Sequence, residues 1–71
     1  MPLLFAQENQ LVKIHQIKGK TEIKKRLNEL GFVEGAQVMV IGQSHGNLMV
    51  GIQQSRIALS KEVALKIIVG E

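Results

Sequence analysis

Gly31 and Gly35, in the stretch "NELGFVEGAQVMVI", constrain the fold of this chain more than any other feature of its sequence. Gly31 follows a helical pattern and stands where a residue in the left-handed region closes a helix. Phe32 comes next, at the position from which a Schellman motif brings an apolar side chain back to Leu27. Gly35 is third in the turn "VEGA", the position at which a type II turn needs a positive φ. The sequence therefore predicts a helix that ends abruptly, one turn, and then a strand.

The helix before this stop carries its apolar side chains on one side. Ile23, Leu27 and Leu30 recur at i, i+4 and i+7, which predicts a single stripe that packs on the core. Thr21 is predicted to cap the start of the helix, because its hydroxyl can accept from the free N–H groups of the first turn. The residues of this region with a predicted architectural role are Leu27, Leu30, Gly31, Phe32 and Gly35.

A β-hairpin is predicted after the turn. The strands "AQVMVIGQ" (36–43) and "NLMVGIQQ" (47–54) flank "SHG", and Gly46 occupies the left-handed position that ends a three-residue hairpin loop. This loop length fixes the register of the two strands, so that residues on one face pair as follows: Val40 with Val50, and Val38 with Ile52.

The opposite face of the hairpin carries Met39, Ile41 and Met49. Two interpretations of this face are open. The N-terminal segment "PLLFA" can cover it, which we favour because a chain this short has little apolar surface to leave uncovered. Alternatively the face is exposed and serves as an adaptable contact surface, of the kind that methionine side chains provide.

Short alternating patterns predict the remaining strands. "LVKIHQIK" (11–18) precedes the helix, "RIAL" (56–59) follows the hairpin, and "KIIV" (66–69) comes after one helical turn, "KEVAL", which Ser60 is predicted to cap. About five short strands with one inserted helix predict a mostly β chain folded as a small SH3-like barrel. Residues 1–71 are predicted to form a single domain, near the lower size limit for a core without staples.

Positive charge is concentrated in one part of the chain. The net charge is +3, and six of the basic residues lie between Lys13 and Arg26, where Glu22 is the only acid. From Phe32 onward, basic and acidic residues balance. Such a patch attracts phosphates or an acidic protein surface, although the same residues also suit a solvated helix face. The residues of the patch least constrained by the predicted fold are Lys20, Lys24 and Lys25.

Aromatic residues are scarce beside this patch, because Phe5 and Phe32 are the only aromatics of the chain. Small nucleic-acid binders stack bases on aromatic side chains, and without stacking only a salt-sensitive, unspecific attraction to phosphates is left. We therefore expect no specific nucleic-acid binding, with a weak nucleic-acid-binding barrel as an alternative. A docking surface for an acidic protein partner is the favoured functional interpretation of the patch.

Residues able to carry out catalysis form no recognisable pattern. The chain has no cysteine, which excludes disulfides and thiolate metal sites. His15 and His45 stand thirty residues apart without a third ligand, so His45 is only a weak candidate for binding a divalent metal. No serine has a convincing base and orienting acid beside it. The chain is therefore predicted not to be an enzyme and to need no cofactor.

Several short motifs are shared with one known family. They lie in "IKGKTEIKKRLNELGFVEGAQVMVI" and in the later stretch "RIALSKEVALKIIV", which together resemble the FeoA family, ferrous iron transport protein A, over nearly the whole chain. The family pattern consists of an Ile-x-Gly strand end, an Arg-Leu-x-Glu-Leu-Gly helix end, a glycine turn, an Ile-Ala-Leu strand and an alanine-bearing closing turn. The residues of this chain that match it are Ile17–Gly19, Arg26–Gly31, Gly35, Ile57–Leu59 and Ala64.

This resemblance implies an SH3-like barrel with an inserted helix and a role without catalysis. Members of the family are small cytoplasmic proteins that assist FeoB, a membrane ferrous-iron transporter with a GTP-hydrolysing domain. The resemblance therefore implies a cytoplasmic accessory or regulatory protein of iron uptake, which meets the membrane only through the transporter. FeoB is the expected partner, and a second copy of the chain is another. The module is also similar to the C-terminal domain of iron-dependent repressors, which makes an interaction or metal-responsive module the alternative.

Overall fold

The computed structural model of the protein describes residues 1–70. The strands are β1 (Leu11–Ile17), β2 (Gln37–Ser44), β3 (Asn47–Ile52), β4 (Ser55–Ser60) and β5 (Ile67–Gly70). The helical segments are a 3₁₀ turn (Leu3–Phe5), α1 (Thr21–Glu29) and α2 (Lys61–Ala64). Within residues 1–70 the five strands form one antiparallel sheet in the order β4–β3–β2–β1–β5. No helix in this part of the chain is both long enough and apolar enough to cross a membrane.

The core is made by inward-facing residues of all five strands, which alternate with outward-facing ones along the longer strands. Leu59 of β4 and Val69 of β5 belong to the same buried cluster, although these strands lie at opposite ends of the sheet. The sheet therefore curls around one core, with α1 inserted between β1 and β2, as the strand patterns predict. Phe32 and Leu3 are the largest side chains completely buried in this core.

Helix α1 ends in the Schellman motif that the sequence predicts. Gly31 has a φ of +105°, and its N–H donates to the carbonyl of Asn28 at 3.0 Å. The N–H of Phe32 donates to the carbonyl of Leu27 at 2.9 Å. These are the two bonds that define the motif. The ring of Phe32 and the side chain of Leu27 are both buried in the core.

The turn after this stop is also the predicted one. Gly35 has a φ of +88°, and the N–H of Ala36 donates to the carbonyl of Val33 at 3.0 Å, which closes the four-residue turn. Ile14 of β1 holds the turn from the side. Its carbonyl accepts from the N–H of Gly35 at 2.7 Å, and its N–H donates to the carbonyl of Ala36 at 2.9 Å. The corner between α1 and β2 is therefore fastened to the first strand.

Two predictions about α1 are wrong. Thr21 is the first helical residue and not the cap; Lys20 holds the cap position with extended backbone, and no side-chain hydrogen bond caps the start. Leu30 does not continue the buried stripe, since 44% of its surface is exposed. The helix tightens at Leu30, whose N–H is shared between two carbonyls of the preceding turn, and Phe32 enters the core in its place.

The β2–β3 loop is one residue shorter than predicted. Ser44 pairs with Asn47, so the loop consists of His45 and Gly46, which have φ values of +53° and +79°. Two positive φ values in succession are those of a type I′ turn, whose twist matches the twist of the flanking strands. The prediction failed because the first place of such turns usually holds asparagine, aspartate or glycine, so "HG" does not identify one.

The register of this hairpin is nevertheless the predicted one. The ladder shifts between Val40 and Gly42, which leaves Ile41 as the extra residue of a β-bulge. The bulge adds one residue to β2 and so compensates for the residue that the shorter loop removes. Both predicted pairs are therefore confirmed: Val40 with Val50, and Val38 with Ile52.

The N-terminal segment does not cover Met39 and Met49, contrary to the favoured prediction. Pro2 forms a bridge with Ile68 of β5, and the 3₁₀ turn packs against α2 and β5. Leu3 is completely buried, whereas both methionines stay half-buried on the other side of the sheet. The segment takes this place because the core accommodates Leu3 and because β5, at the end of the sheet, has backbone groups that need partners.

The last part of the fold agrees with the sequence patterns. Strand β4 runs one residue beyond the predicted stretch at each end. Ser60 caps α2 as predicted, because its hydroxyl accepts from the N–H of Val63 at 3.2 Å. Strand β5 is separated from α2 by two residues, lies one residue later than the predicted stretch 66–69, and pairs with β1.

Candidate functional site

Lys20, Lys24 and Lys25, the residues predicted to meet a partner, lie together at the start of α1. Lys20 is the last residue before the helix, and its carbonyl accepts from the N–H groups of Ile23 at 3.0 Å and of Lys24 at 3.1 Å. All three lysine side chains are exposed. Lys24 and Lys25 border the same shallow depression on the helix surface. The fold therefore brings the three predicted residues onto one exposed helix end.

Two further lysines adjoin this group: Lys18 directly follows β1, and Lys66 comes from the other end of the chain. The N–H of Lys18 donates to the carbonyl of Lys66 at 2.8 Å. A side chain at position 19, which holds glycine, would meet the Cδ atom of Lys66 at 3.4 Å. Lys66 is half-buried, and half-buried lysines pack their aliphatic stem on neighbouring residues while the charged end stays in water. We define the basic surface as Lys18, Lys20, Lys24, Lys25 and Lys66.

Sequence reasoning missed Lys66 because it assigned this residue to the charge-balanced part of the chain. The pairing of β1 with β5 joins Ile17 to Ile67, so Lys18 and Lys66 meet just beyond the end of that ladder. Charges counted along the chain contain no information about this pairing. The register of β1 against β5 is the one signal that could have found it.

The basic surface stands at the positive end of the α1 dipole, where cations are electrostatically unfavourable. Lys20 holds the cap position, at which a short polar side chain would satisfy the free N–H groups of the first turn. Glu22 is the acidic residue of that turn. The lysines are therefore not placed to stabilise the helix, and an anionic partner would relieve their repulsion.

A second candidate surface lies on the outward face of β1, β2 and β3. Leu11 pairs with Met39, and Met39 pairs with Gly51, so these residues form one row across the three strands. Together with Ile41 they line an open groove of about 740 Å³, which we name the outer groove. Ile41, the bulge residue, lies over Gly51, since a Cβ at position 51 would be 3.3 Å from its Cδ1 atom.

The structure brings together only part of the predicted methionine face. Met39 and Ile41 line the outer groove, whereas Met49 stands farther along β3, opposite Gly42. Lys13 is the charged residue that lines the groove. The lining of the outer groove is therefore mixed, since the polar side chains Gln37 and Gln53 and one cation stand beside the apolar ones.

The two histidines lie on different elements. His45 is at the tip of the β2–β3 hairpin, where its Nδ1 atom is 3.1 Å from the hydroxyl of Ser44. His15 lies on β1, and its ring stands so close to Gly70 that a Cβ there would be 2.6 Å from Cε1. Across residues 1–70, histidine and acidic side chains form no group of three that could hold a metal. Weak divalent-metal binding at His45 stays a prediction.

The whole chain matches one family of domains, because the model that describes the FeoA domain covers residues 1–71. The chain belongs to the FeoA family. The resemblance indicated by the sequence motifs is thereby confirmed. A FeoA relative, the "Putative Fe(2+) transport protein A" of Methanocaldococcus jannaschii, is 31% identical over 68 residues, which make up 96% of this chain and 83% of that protein.

Solved structures share the fold of this FeoA protein. Stenotrophomonas maltophilia FeoA complexed with zinc, described as a prokaryotic SH3 domain protein, has a TM-score of 0.84 and 25% identity, covering 97% of this chain and 88% of that one. ScaR with bound Zn²⁺ has a TM-score of 0.87 at 16% identity, and the match covers 100% of this chain and 36% of ScaR. The similarity to ScaR concerns the fold alone. The predicted SH3-like barrel with an inserted helix is confirmed.

Proposed function

We propose that this FeoA protein is an accessory protein of ferrous iron uptake that docks through its basic surface on an acidic surface of the cytoplasmic part of FeoB. The observation that carries the proposal is the basic surface itself, because the fold assembles it from two distant parts of the chain. Membership of the FeoA family and the name of the M. jannaschii relative support the assignment to iron uptake.

In this proposal the protein acts by binding and not by catalysis. It works on the cytoplasmic side and reaches the membrane only through the transporter. Exposed lysines suit this role, since attraction between opposite charges steers two proteins together and raises the association rate. Their position at the positive end of α1 supports it further, because contact with acidic side chains would offset a repulsion that the isolated protein retains.

The outer groove is the competing contact surface. Its lining combines apolar and polar side chains with a single charged residue, Lys13, so contact there would depend less on ionic strength than contact through the five lysines of the basic surface. Salt dependence therefore separates the two surfaces before any residue is changed.

The test is association of the purified protein with the soluble cytoplasmic region of FeoB, measured at low and at physiological salt. Lys24→Glu/Lys25→Glu should slow association, and more strongly at low salt, because exposed charges are screened beyond ~8 Å at physiological ionic strength. Lys66→Glu should act in the same direction, although Lys66 lies far from α1 in the sequence.

Lys61→Glu is the matched control for Lys66→Glu, since it reverses one exposed lysine on α2, outside the basic surface. Met39→Glu reports on the outer groove. If Met39→Glu alone weakens binding and the association rate hardly changes with salt, the outer groove is the contact. Unchanged binding by all of these variants would contradict both surfaces.

A further inference from the structure

The two edges of the sheet differ in how the rest of the chain protects them. At β5, Met1 covers the edge: its ammonium group donates to the carbonyl of Val69 at 3.0 Å, and its carbonyl accepts from the N–H of Val69 at 2.7 Å. Pro2 continues this contact with a bridge to Ile68. The N-terminal residues therefore occupy backbone groups of β5 that another chain could otherwise use.

Strand β4 forms the opposite edge, and within residues 1–70 its only strand partner is β3. Their ladder runs without a register shift from Asn47–Ser60 to Ile52–Ser55, so β4 is regular over its whole length. Exposed edges are usually protected by prolines, bulges, charges or a covering helix or loop that prevents pairing with another chain. Strand β4 has one charge, Arg56, near one end, and among the described residues no backbone hydrogen bond from a segment other than β3 reaches it.

We propose that the β4 edge pairs with β4 of a second copy of this protein, forming a transient symmetric dimer with one continuous sheet. Two antiparallel copies of the same strand are related by a twofold axis, so a single strand can be its own partner. With the axis at Ala58, residues Arg56–Ser60 of both copies pair. Ala58 then faces Ala58, Ile57 faces Leu59, and Arg56 faces Ser60.

This register suits the side chains of β4. It places the half-buried Ile57 beside the buried Leu59 on the inward face, and such apolar cross-strand pairs stabilise sheets. It brings no two like charges opposite each other. An axis at Ile57 would instead place Leu59 opposite Ser55 and leave one apolar pair, Ile57 with Ile57, in place of two.

Charge favours a second copy as the occupant of this edge. The net charge of +3 opposes self-association in general, but β4 carries one charged residue, Arg56, which this register places opposite Ser60 and not opposite its own copy. Since five paired residues per copy make a small interface, the dimer is weak and its population depends on protein concentration.

The test uses sedimentation equilibrium and backbone amide NMR from micromolar to millimolar concentrations of the full chain. The parent should dimerise as concentration rises, with amide shifts confined to β4 and its surroundings. Ala58→Glu and Ala58→Lys should each weaken self-association several-fold, because each places a charge opposite its own copy. An equal mixture of the two variants should dimerise at least as well as the parent, because Glu then faces Lys at the axis.

Gln37→Glu and Gln37→Lys are matched controls on the exposed face of β2, and neither variant nor their mixture should differ from the parent. A parent that stays monomeric at millimolar concentration would overturn the proposal. So would a mixture of the Ala58 variants that associates no better than either alone. Because FeoB is absent from this experiment, its outcome is independent of the proposed docking function.

Discussion

The corner after α1 and the tip of the β2–β3 hairpin both require two residues with positive φ, but different residue types occupy these positions. The positive φ values fall on Gly31 and Gly35 at the corner, and on His45 and Gly46 at the hairpin. Glycine adopts this region freely, whereas an ordinary residue there loses roughly 1–2 kcal/mol. A demanding backbone position can therefore be recognised in the sequence when glycine fills it, and passes unnoticed when histidine does.

The largest effect on stability is expected from a substitution in the corner after α1. Gly31→Val should lower the free energy of unfolding by roughly 1–3 kcal/mol, because a β-branched residue is strained at positive φ. Lack of space is not the reason, since a Cβ at position 31 would meet atoms of Gln53 and Ile52 at 3.6 Å, which is ordinary contact. Thermal unfolding measures the loss, with roughly 4–8 °C expected per kcal/mol in a domain of this size.

Asn28→Val is the matched control for this change. It introduces the same side chain at an exposed helical position of α1, where valine and asparagine have similar helix propensities. Its melting temperature should stay close to that of the parent. If Gly31→Val also melted with the parent, the Schellman motif would not be a source of stability.

The same comparison explains how much of the fold was predictable. The register of the hairpin follows from the need of Val38, Val40 and Val50 to face the core. The predicted register is therefore correct although the predicted loop was one residue too long, because the bulge at Ile41 makes up the difference. The position of Leu30 was wrong because helical periodicity assumes a regular helix up to its last residue, whereas this helix tightens at its end.

Less of the candidate site could be predicted. Lys20, Lys24 and Lys25 are close in sequence, so one helix end is enough to bring them together. Lys66 and the outer groove instead depend on strand registers, which decide that Lys66 reaches Lys18 and that a bulge turns Ile41 over a glycine. Patterns within a single segment therefore show which residues share one helix end, whereas they contain no information about the register between strands.

A smaller effect of opposite sign is expected at the hairpin. His45→Asn gives the turn the Asn-Gly pair that type I′ turns favour, so the free energy of unfolding should rise by up to ~1 kcal/mol. The exposed contact between His45 and the hydroxyl of Ser44 is lost, but solvent can replace it. Denaturant unfolding measures the gain. A decrease in stability would mean that contacts of the histidine outweigh its backbone strain.

The smallest effect is expected at the start of the helix whose end forms the corner. Lys24→Ala/Lys25→Ala should change the free energy of unfolding by less than ~0.5 kcal/mol, because both side chains are exposed. Alanine is the better helix former, and removing two cations near the positive helix end relieves repulsion, so a small gain is more consistent with the structure than a loss. Thermal unfolding and association with the FeoB region should be measured on the same preparation. Parent-like melting together with slower association assigns the lysines to binding, whereas a loss as large as that of Gly31→Val would assign them to the fold.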